Sequence, residues 1–202
     1  MGIAWRLRPA GRYADRVPAC GLPGDARRVL VYGVTGSGKS TLASRLAGAT
    51  GISWHSVDDL SWEPGWVAVP DDEQRRRIQR ICERPEWILD TAYGAWLDLP
   101  LGHAQLIVAL DYPRWFSLQR LVRRTVTRVL RGRLVCNGNR ESWRRLFSSD
   151  GIVVWHFRSF ARKRQRIRRW SSDPAAPRVL RLTSSRQAEQ WLNGLGERAR
   201  DH

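Results

Sequence analysis

The sequence contains little lysine and cysteine, and it has no long hydrophobic run. The three cysteines, Cys20, Cys82 and Cys136, are scattered and odd in number, which argues against a disulfide framework and against a zinc site. No stretch of eighteen apolar residues is present, so we expect no membrane-spanning helix and no membrane partner. The first residues lack the apolar segment of a secretory signal peptide. These absences together predict a cytoplasmic protein.

Only two of the 202 residues are lysines, Lys39 and Lys163, although the chain is strongly basic. It has 35 lysines and arginines against 19 acids, a net charge of +16, so nearly all of the basic residues are arginine. Such an excess predicts attraction to polyanions, among them nucleotides and nucleic acid. The abundant arginine and the eleven tryptophans are equally typical of codon bias in a GC-rich genome, in which case the surplus charge is solvated surface. Both interpretations stay open.

Strand-like and helix-like segments alternate along most of the chain. Residues 1–25 contain three prolines and four glycines without a clear period, and we predict a loosely packed extension there. Residues 26–202 then form a single α/β domain, in which a parallel sheet carries helices on both faces. The five predicted strands are 29–32, 52–58, 87–90, 104–111 and 178–184.

A glycine-rich stretch, RRVLVYGVTGSGKST, follows the first predicted strand and opens a helix. Its residues Gly33, Gly38, Lys39 and Ser40 match the spacing G-x-x-x-x-G-K-[ST] of a phosphate-binding loop. Glycines let several backbone N–H groups point at one anion, and the helix N-terminus adds partial positive charge. Lys39 is expected to reach the β- and γ-phosphates and Ser40 to join the Mg²⁺ shell, so ATP and Mg²⁺ are the predicted cofactors. The predicted nucleotide-binding residues are Gly33, Thr35, Gly36, Ser37, Gly38, Lys39, Ser40 and Thr41.

Two acids at strand ends could complete the magnesium shell. Asp90 follows the apolar residues WIL, and Asp111 follows LIVAL. Asp111 ends the more hydrophobic strand, but it also lies just before Pro113, where an acid would cap a helix. The residues alone leave this choice open.

The acceptor side of such a site is predicted after the second strand. Asp58 or Asp59 could accept the proton of an attacking hydroxyl, or could simply cap a helix. Nearby aromatic residues could line an acceptor pocket, or they could pack between a lid and the core. These residues are Trp62, Trp66, Tyr93 and Trp96.

Three stretches of the chain resemble the adenylate-kinase-like P-loop proteins of bacteria. They are VLVYGVTGSGKSTLASRLAGATGISWHSVDDLSWEPGW, WILDTAYGAW and LIVALDYPRWFSLQRLVRRT. The group labelled topology modulation or FlaR-like protein is the most similar, and W-x-x-G-W at Trp62 to Trp66 is its most specific mark. The resemblance covers about residues 28–195. It implies a P-loop NTPase three-layer sandwich of the nucleoside monophosphate kinase type, with a five-stranded parallel sheet and a helical, arginine-rich lid.

The resemblance also assigns roles to individual residues. Asp90 becomes the preferred magnesium-shell residue, and Arg120, Arg123 and Arg124 match the base of the lid, where arginines meet the transferring phosphoryl. Residues 58–85 form the acceptor side and about 128–158 the lid. Further phosphate contacts in the lid are expected from Arg128, Arg131, Arg133 and Arg140.

One departure from the adenylate kinase pattern concerns the acceptor. In adenylate kinases the acid of the third strand is followed by a glycine and soon after by an arginine that binds the acceptor's phosphate. In this sequence Asp90 is followed by Thr91, Ala92 and Tyr93. An acid in the position of Asp58 instead resembles kinases that phosphorylate a hydroxyl. We therefore predict transfer of the γ-phosphoryl to a small acceptor, either a nucleotide or a hydroxyl-bearing metabolite.

The segment HFRSFARKRQRIRRW, residues 156–170, supports two alternative hypotheses. Its basic residues show no clean apolar stripe, so they are predicted to surround a solvated helix. They could also bind nucleic acid, which would make the protein a nucleic-acid-associated ATPase. A nucleotide sensor with little turnover is the other alternative. The four histidines lack metal-ligand spacing and receive no role.

Overall fold

The computed structural model describes residues 22–91, 94–132, 134–135, 139–140 and 151–198. The strands are β1 (Arg28–Gly33), β2 (Trp54–Ser56), β3 (Trp62–Glu63), β4 (Val67–Ala68), β5 (Trp87–Thr91), β6 (Leu106–Leu110), β7 (Leu134–Val135), β8 (Asn139–Arg140) and β9 (Arg178–Leu182). The helices are α1 (Lys39–Thr50), α2 (Val57–Ser61), α3 (Asp71–Cys82), α4 (Asp98–His103), α5 (Arg114–Leu130), α6 (Ile152–Ser172) and α7 (Ser185–Arg198).

Five of the strands form one parallel sheet in the order β2-β5-β1-β6-β9. In register, Val31 of the central strand β1 lies opposite Asp90 of β5 and Val108 of β6. The carboxyl ends of all five strands therefore meet at one edge of the sheet, which is where parallel α/β sheets bind ligands. This arrangement confirms the predicted α/β fold and its five-stranded parallel sheet.

Each face of the sheet packs against its own set of helices. Side chains alternate along β1, so that Val29 and Val31 join a core with α1 and α7, while Leu30 and Tyr32 join another with α3, α4 and α6. Every residue of β5 and β6 is buried, as expected for strands covered on both faces. The result is a three-layer sandwich with the sheet in the middle.

The second strand is shorter than predicted. It ends at Ser56, whose side chain accepts a hydrogen bond from the Asp59 backbone N–H at 3.5 Å and caps α2. The prediction of strand through residue 58 was therefore wrong, because the capping serine starts a helix at Val57.

The helix α6 also differs from its prediction. Its exposed residues include Arg158, Arg162, Arg168 and Arg169, as predicted for a solvated basic helix, but the prediction lacked a buried face, which six of the 21 residues form. They are His156, Ser159, Phe160, Lys163, Ile167 and Trp170. Their spacing follows a helical period, but three of them are polar, and apolar patterning alone therefore missed the buried face.

Two predicted segments fall partly outside the described residues. Of the extension at 1–25, residues 22–25 are described: Pro23–Asp25 is a short 3₁₀ turn, Pro23 is buried and Leu22 packs against the core. Of the predicted lid, 133, 136–138 and 141–150 lie outside the described residues, and so does Tyr93 of the acceptor side. Within the described ranges, no helix has the length and apolar character needed to cross a bilayer.

Candidate phosphate-binding site

The glycine-rich loop joins β1 to α1 at the central point of the sheet edge. Gly36 and Gly38 have φ values of 83° and 96°, a conformation that favours glycine. A methyl group at Gly36 would lie 2.3 Å from the Ser117 carbonyl oxygen, so α5 packs directly on the loop. The Ser37 hydroxyl is buried and has no hydrogen-bond partner among the described residues. The packing of α5 thus constrains the shape of the loop, and the Ser37 hydroxyl has no hydrogen bond within the described residues.

Lys39, the first residue of α1, folds back across this loop. Its Nζ donates a hydrogen bond to the Val34 carbonyl oxygen at 3.1 Å. Burial lowers the pKa of Lys39, the charges of Asp58 and Asp90 oppose this shift, and the charge of Arg124 adds to it. Lys39 therefore lies within electrostatic reach of one acid in α2, one acid in β5 and one cation in α5.

Ser40 and Asp90 are joined directly. The Ser40 hydroxyl donates a hydrogen bond of 2.5 Å to Asp90 Oδ2, and the Trp54 indole N–H donates one of 3.2 Å to Oδ1. Burial raises the pKa of Asp90, while the Ser40 hydrogen bond, the Lys39 charge and the Trp54 hydrogen bond pull it back. Thr41, the next residue of α1, is exposed on the helix's first turn.

These oxygens fit a magnesium ion. Mg²⁺ is commonly held by one or two protein oxygens together with water and phosphate oxygens, rather than by a full protein cage. The described residues contain no cluster of three or more His, Cys, Asp or Glu side chains that could form such a cage. A hydroxyl and a carboxylate oxygen in contact at the start of α1 provide the smaller set that Mg²⁺ accepts.

Asp111, the other acid considered for magnesium, has different partners. Its carboxylate is buried and pairs with Arg164 of α6 at 2.9 Å and with Arg181 of β9 at 2.8 Å. This cluster ties α6 and β9 to the end of β6. Asp111 therefore has a structural environment, and the geometry favours Asp90 beside the loop.

A row of arginines on α5 borders an open groove of about 720 Å³. Arg120 lies against the loop, because a methyl group at Gly38 would be 3.0 Å from its guanidinium. Arg124 is close enough for its charge to lower the pKa of Lys39. The groove is lined by Arg120, Arg123, Arg124, Thr127, Arg128 and Arg131. Of the predicted arginines, Arg120 and Arg124 thus lie near the phosphate loop, Arg123 and Arg128 lie along the same groove, and Arg133 lies outside the described residues.

Asp58 lies in the first turn of α2, at the same edge of the sheet. It is exposed, and its charge acts on Lys39, Asp90 and Lys163. Burial, and then the charge of Asp58, raise the pKa of Asp59. Asp58 is therefore the acid that the electrostatics connect to the loop.

The aromatic residues on the acceptor side occupy two environments. Trp62 and Trp66 stand in the β3–β4 hairpin with ring centroids 5.7 Å apart, and Asn139 of β8 accepts a 2.6 Å hydrogen bond from the Trp66 backbone N–H. Trp96 instead packs against the core below α3, where its indole N–H donates to Gln74 Oε1 at 3.1 Å. Trp96 therefore packs against the core, as one of the two alternatives predicted. The β3–β4 hairpin instead contacts the predicted lid segment through Asn139.

Sequence reasoning missed three polar side chains that α6 brings to the loop. The His156 Nδ1–H donates to the Thr35 carbonyl oxygen at 3.0 Å, and Arg166 donates to the Tyr32 hydroxyl at 3.2 Å. Lys163 lies between them on the buried side of the helix. The one available signal was the rarity of lysine, which made Lys163 as unusual as Lys39.

Comparison with known proteins finds a protein of similar sequence and solved structures of similar fold. No family model matches the chain. A stretch of 110 residues is 30% identical to the cytidylate kinase of Aeropyrum pernix (strain K1), covering 47% of this chain and 63% of that protein, so the chain spans less than two thirds of this relative.

Two solved structures resemble the chain over most of its length. TT1252 from Thermus thermophilus aligns with a TM-score of 0.50 at 16% identity, covering 84% of this chain and 96% of that one. Shikimate kinase from Bacteroides thetaiotaomicron aligns with a TM-score of 0.50 at 13% identity, covering 87% and 99%. The chain therefore has the kinase-like P-loop NTPase fold.

Proposed function

We propose that this protein is an ATP-dependent phosphotransferase that moves the γ-phosphoryl of ATP to a small acceptor. The observation that carries the proposal is the hydrogen bond between Ser40 and Asp90 beside Lys39, at the mouth of the glycine-rich loop. In this arrangement a loop that can surround a phosphate, a cation and a magnesium-binding oxygen pair occupy one corner of the sheet edge. The relative named cytidylate kinase supports a phosphotransferase over a simple hydrolase.

The roles of the residues follow from their positions. The loop N–H groups and Lys39 bind the polyphosphate, and Ser40 and Asp90 would hold Mg²⁺. When bound, the ion neutralises charge on the phosphate oxygens. Arg120 and Arg124 stabilise the charge of the transferring group, which is spread over its equatorial oxygens in the transition state.

Asp58 orients the acceptor and takes the proton of its attacking hydroxyl. It stands on the acceptor side, with its exposed carboxylate in electrostatic reach of Lys39. The acceptor class is a nucleotide or a hydroxyl-bearing metabolite. The cytidylate kinase match favours the first, and the lack of an arginine soon after Asp90 favours the second. Membership of the adenylate-kinase-like or FlaR-like group stays a prediction from the motifs.

The direct test is ATP binding with and without the loop lysine. Titration calorimetry with ATP and Mg²⁺ should show saturable binding to the full chain, weakened at least about 10-fold by Lys39→Ala, a loss of about 1.4 kcal/mol or more. Circular dichroism of the variant should match the original chain. Equal affinities would contradict the proposal. Tight binding with no stimulation of turnover by any acceptor would favour a sensor, and turnover stimulated by DNA or RNA would favour the nucleic-acid-associated ATPase.

A further inference from the structure

Three buried polar side chains form a ridge along α6. His156, Ser159 and Lys163 follow each other at spacings of three and four residues, which places them on one face of the helix. In the part of the chain that the structure describes, His156 Nε2, Ser159 Oγ and Lys163 Nζ are buried without a hydrogen-bond partner. Buried polar atoms are almost always paired, so three on one helix face require an explanation.

This ridge runs beside the phosphate loop. His156 is bonded to Thr35 within the loop, and Arg166 is bonded to Tyr32, the residue just before Gly33. Lys163 lies between these two contacts on the same helix. Its environment includes the charges of Lys39 from α1 and Asp58 from α2, the two residues that flank the proposed phosphate position.

Lys163 is an unusual residue to bury here. It is 3% exposed, it forms no ion pair among the described residues, and the contact of its ammonium is with the Trp155 ring, 5.6 Å from the ring centroid. A buried ammonium without a carboxylate is costly, and an apolar side chain of the same volume would fill the space without that cost. Retaining a lysine at this position makes physical sense if an anion arrives there.

The surroundings favour the neutral amine while no anion is bound. Burial lowers the pKa of Lys163 to about 7, the charges of Lys39, Arg162 and Arg166 add to this effect, and Asp58 opposes it. His156, on the same face, has its own pKa lowered by burial and does not supply a negative charge. A polyphosphate beside Lys39 would reverse this balance, since a nearby negative charge favours the protonated amine.

We propose that Lys163 is a second phosphate-binding cation of this site, and that it takes up one proton when the polyphosphate of ATP binds. The Nζ lone pair accepts the proton from the acid form of the buffer, which becomes its conjugate base. The resulting ammonium donates hydrogen bonds to phosphate oxygens. This inference rests on the proposed function in that it requires ATP at the loop, but it does not depend on the identity of the acceptor.

Proton uptake can be measured directly by calorimetry. ATP is titrated into the full chain with saturating Mg²⁺ at pH 8, where MgATP itself is ionised, in two buffers with very different ionisation enthalpies. The slope of binding enthalpy against ionisation enthalpy gives the number of protons taken up. We expect most of one proton per ATP for the original chain, because an amine of pKa about 7 is mostly neutral at pH 8.

Three variants of Lys163 and one control variant separate the effect on ATP affinity from the effect on proton uptake. Lys163→Met and Lys163→Gln should each weaken ATP binding about 10-fold and abolish the uptake, and two replacements guard against one that misfolds. Lys163→Arg should keep the affinity within about 3-fold but also abolish the uptake, because a guanidinium is charged at every accessible pH. Arg168→Met, which removes a cation from the exposed side of the same helix, should change neither quantity.

The outcomes distinguish this inference from the proposed function. ATP binding without proton uptake, or with unchanged affinity in Lys163→Met and Lys163→Gln, overturns the role of Lys163 and leaves the phosphotransferase proposal standing. Normal uptake with no transfer to any acceptor overturns the phosphotransferase proposal alone. Failure of the original chain to bind ATP overturns both.

Discussion

At the scale of single residues, Asp90 and Asp111 show how similar sequence contexts lead to different environments. Each follows an apolar strand segment and each is buried, on opposite sides of β1. Asp90 meets a serine hydroxyl and an indole N–H, whereas Asp111 meets two guanidinium groups. A carboxylate between arginines is already neutralised, and one beside a hydroxyl can still bind a cation.

Substituting the two acids should therefore change two different properties, the magnesium dependence of ATP binding for Asp90 and the stability of the fold for Asp111. Asp90→Asn should raise the Mg²⁺ concentration needed for half-maximal ATP binding about 10-fold or more, because it removes the negative charge beside Ser40. Asp111→Asn should leave that concentration unchanged but lower the free energy of unfolding by about 3 kcal/mol, because it removes the buried negative charge that pairs with Arg164 and Arg181. Magnesium titrations and urea unfolding measure the two quantities. Loss of the magnesium response in the Asp111 variant rather than the Asp90 variant would show that the assignment is reversed.

Lys163 should also give the protein a specific dependence of stability on pH. Its pKa is depressed to about 7, so between about pH 7 and 10 the unfolded chain binds the proton and the folded chain does not. The folded protein is therefore destabilised by protonation of Lys163 at pH 7 and below, and this destabilisation fades as the pH rises toward 10. Relative to the original chain, Lys163→Met should be more stable at pH 7, with an advantage that shrinks by up to about 3 kcal/mol at pH 9.5. Urea unfolding at both pH values tests this, and an advantage independent of pH would contradict it.

At the scale of elements, the contact between the phosphate loop and α5 depends on the absence of a side chain at Gly36. A methyl group there would lie 2.3 Å from the Ser117 carbonyl oxygen and 2.8 Å from Leu121 Cβ, and φ is positive. Gly36→Ala should therefore lower the free energy of unfolding by about 2 kcal/mol and weaken ATP binding about 10-fold.

Gly48, within α1, provides the matched control. Outside the adjacent backbone of α1, no atom of the described residues lies within 4 Å of a methyl group added there, so Gly48→Ala should be neutral or stabilise the protein by about 0.5–1 kcal/mol. Thermal and urea unfolding compare the two variants. Equal effects at the two glycines would mean that α5 does not constrain the loop.

Elements whose signals are local were predictable from the sequence. The loop spacing identified Gly33 to Thr41, and apolar runs identified five strands, because both signals arise within a few residues. The partners of the site were not predictable in this way. Trp54 reaches Asp90 across 36 residues, and His156 reaches Thr35 across 121. Such contacts depend on the order of strands in the sheet and on the helix faces that turn inward, and no short pattern specifies either.

At the scale of the whole molecule, the fold places opposite charges at one edge of the sheet. Arg120 of α5 lies beside the glycine-rich loop, and the charges of Arg124, Asp58 and Asp90 act on Lys39 within it. The charges of Lys39 and Asp58 act in turn on Lys163. With a net charge of +16, the protein attracts polyanions in general, so this excess alone does not distinguish nucleotide from nucleic acid. The proposed second substrate rests instead on Asp58, an exposed acid whose charge acts on Lys39.

A phosphotransferase passes the γ-phosphoryl to an acceptor rather than to water, and the proposed function depends on this difference. It is tested by incubating the full chain with Mg²⁺ and ATP labelled on the γ-phosphate, across a panel of nucleoside monophosphates, nucleosides and small hydroxyl compounds. We expect label on one class of acceptor at a rate well above the release of inorganic phosphate, with both lost in Lys39→Ala and the transfer lost in Asp58→Asn. Label found solely in inorganic phosphate, at a rate unchanged by every acceptor, would contradict it.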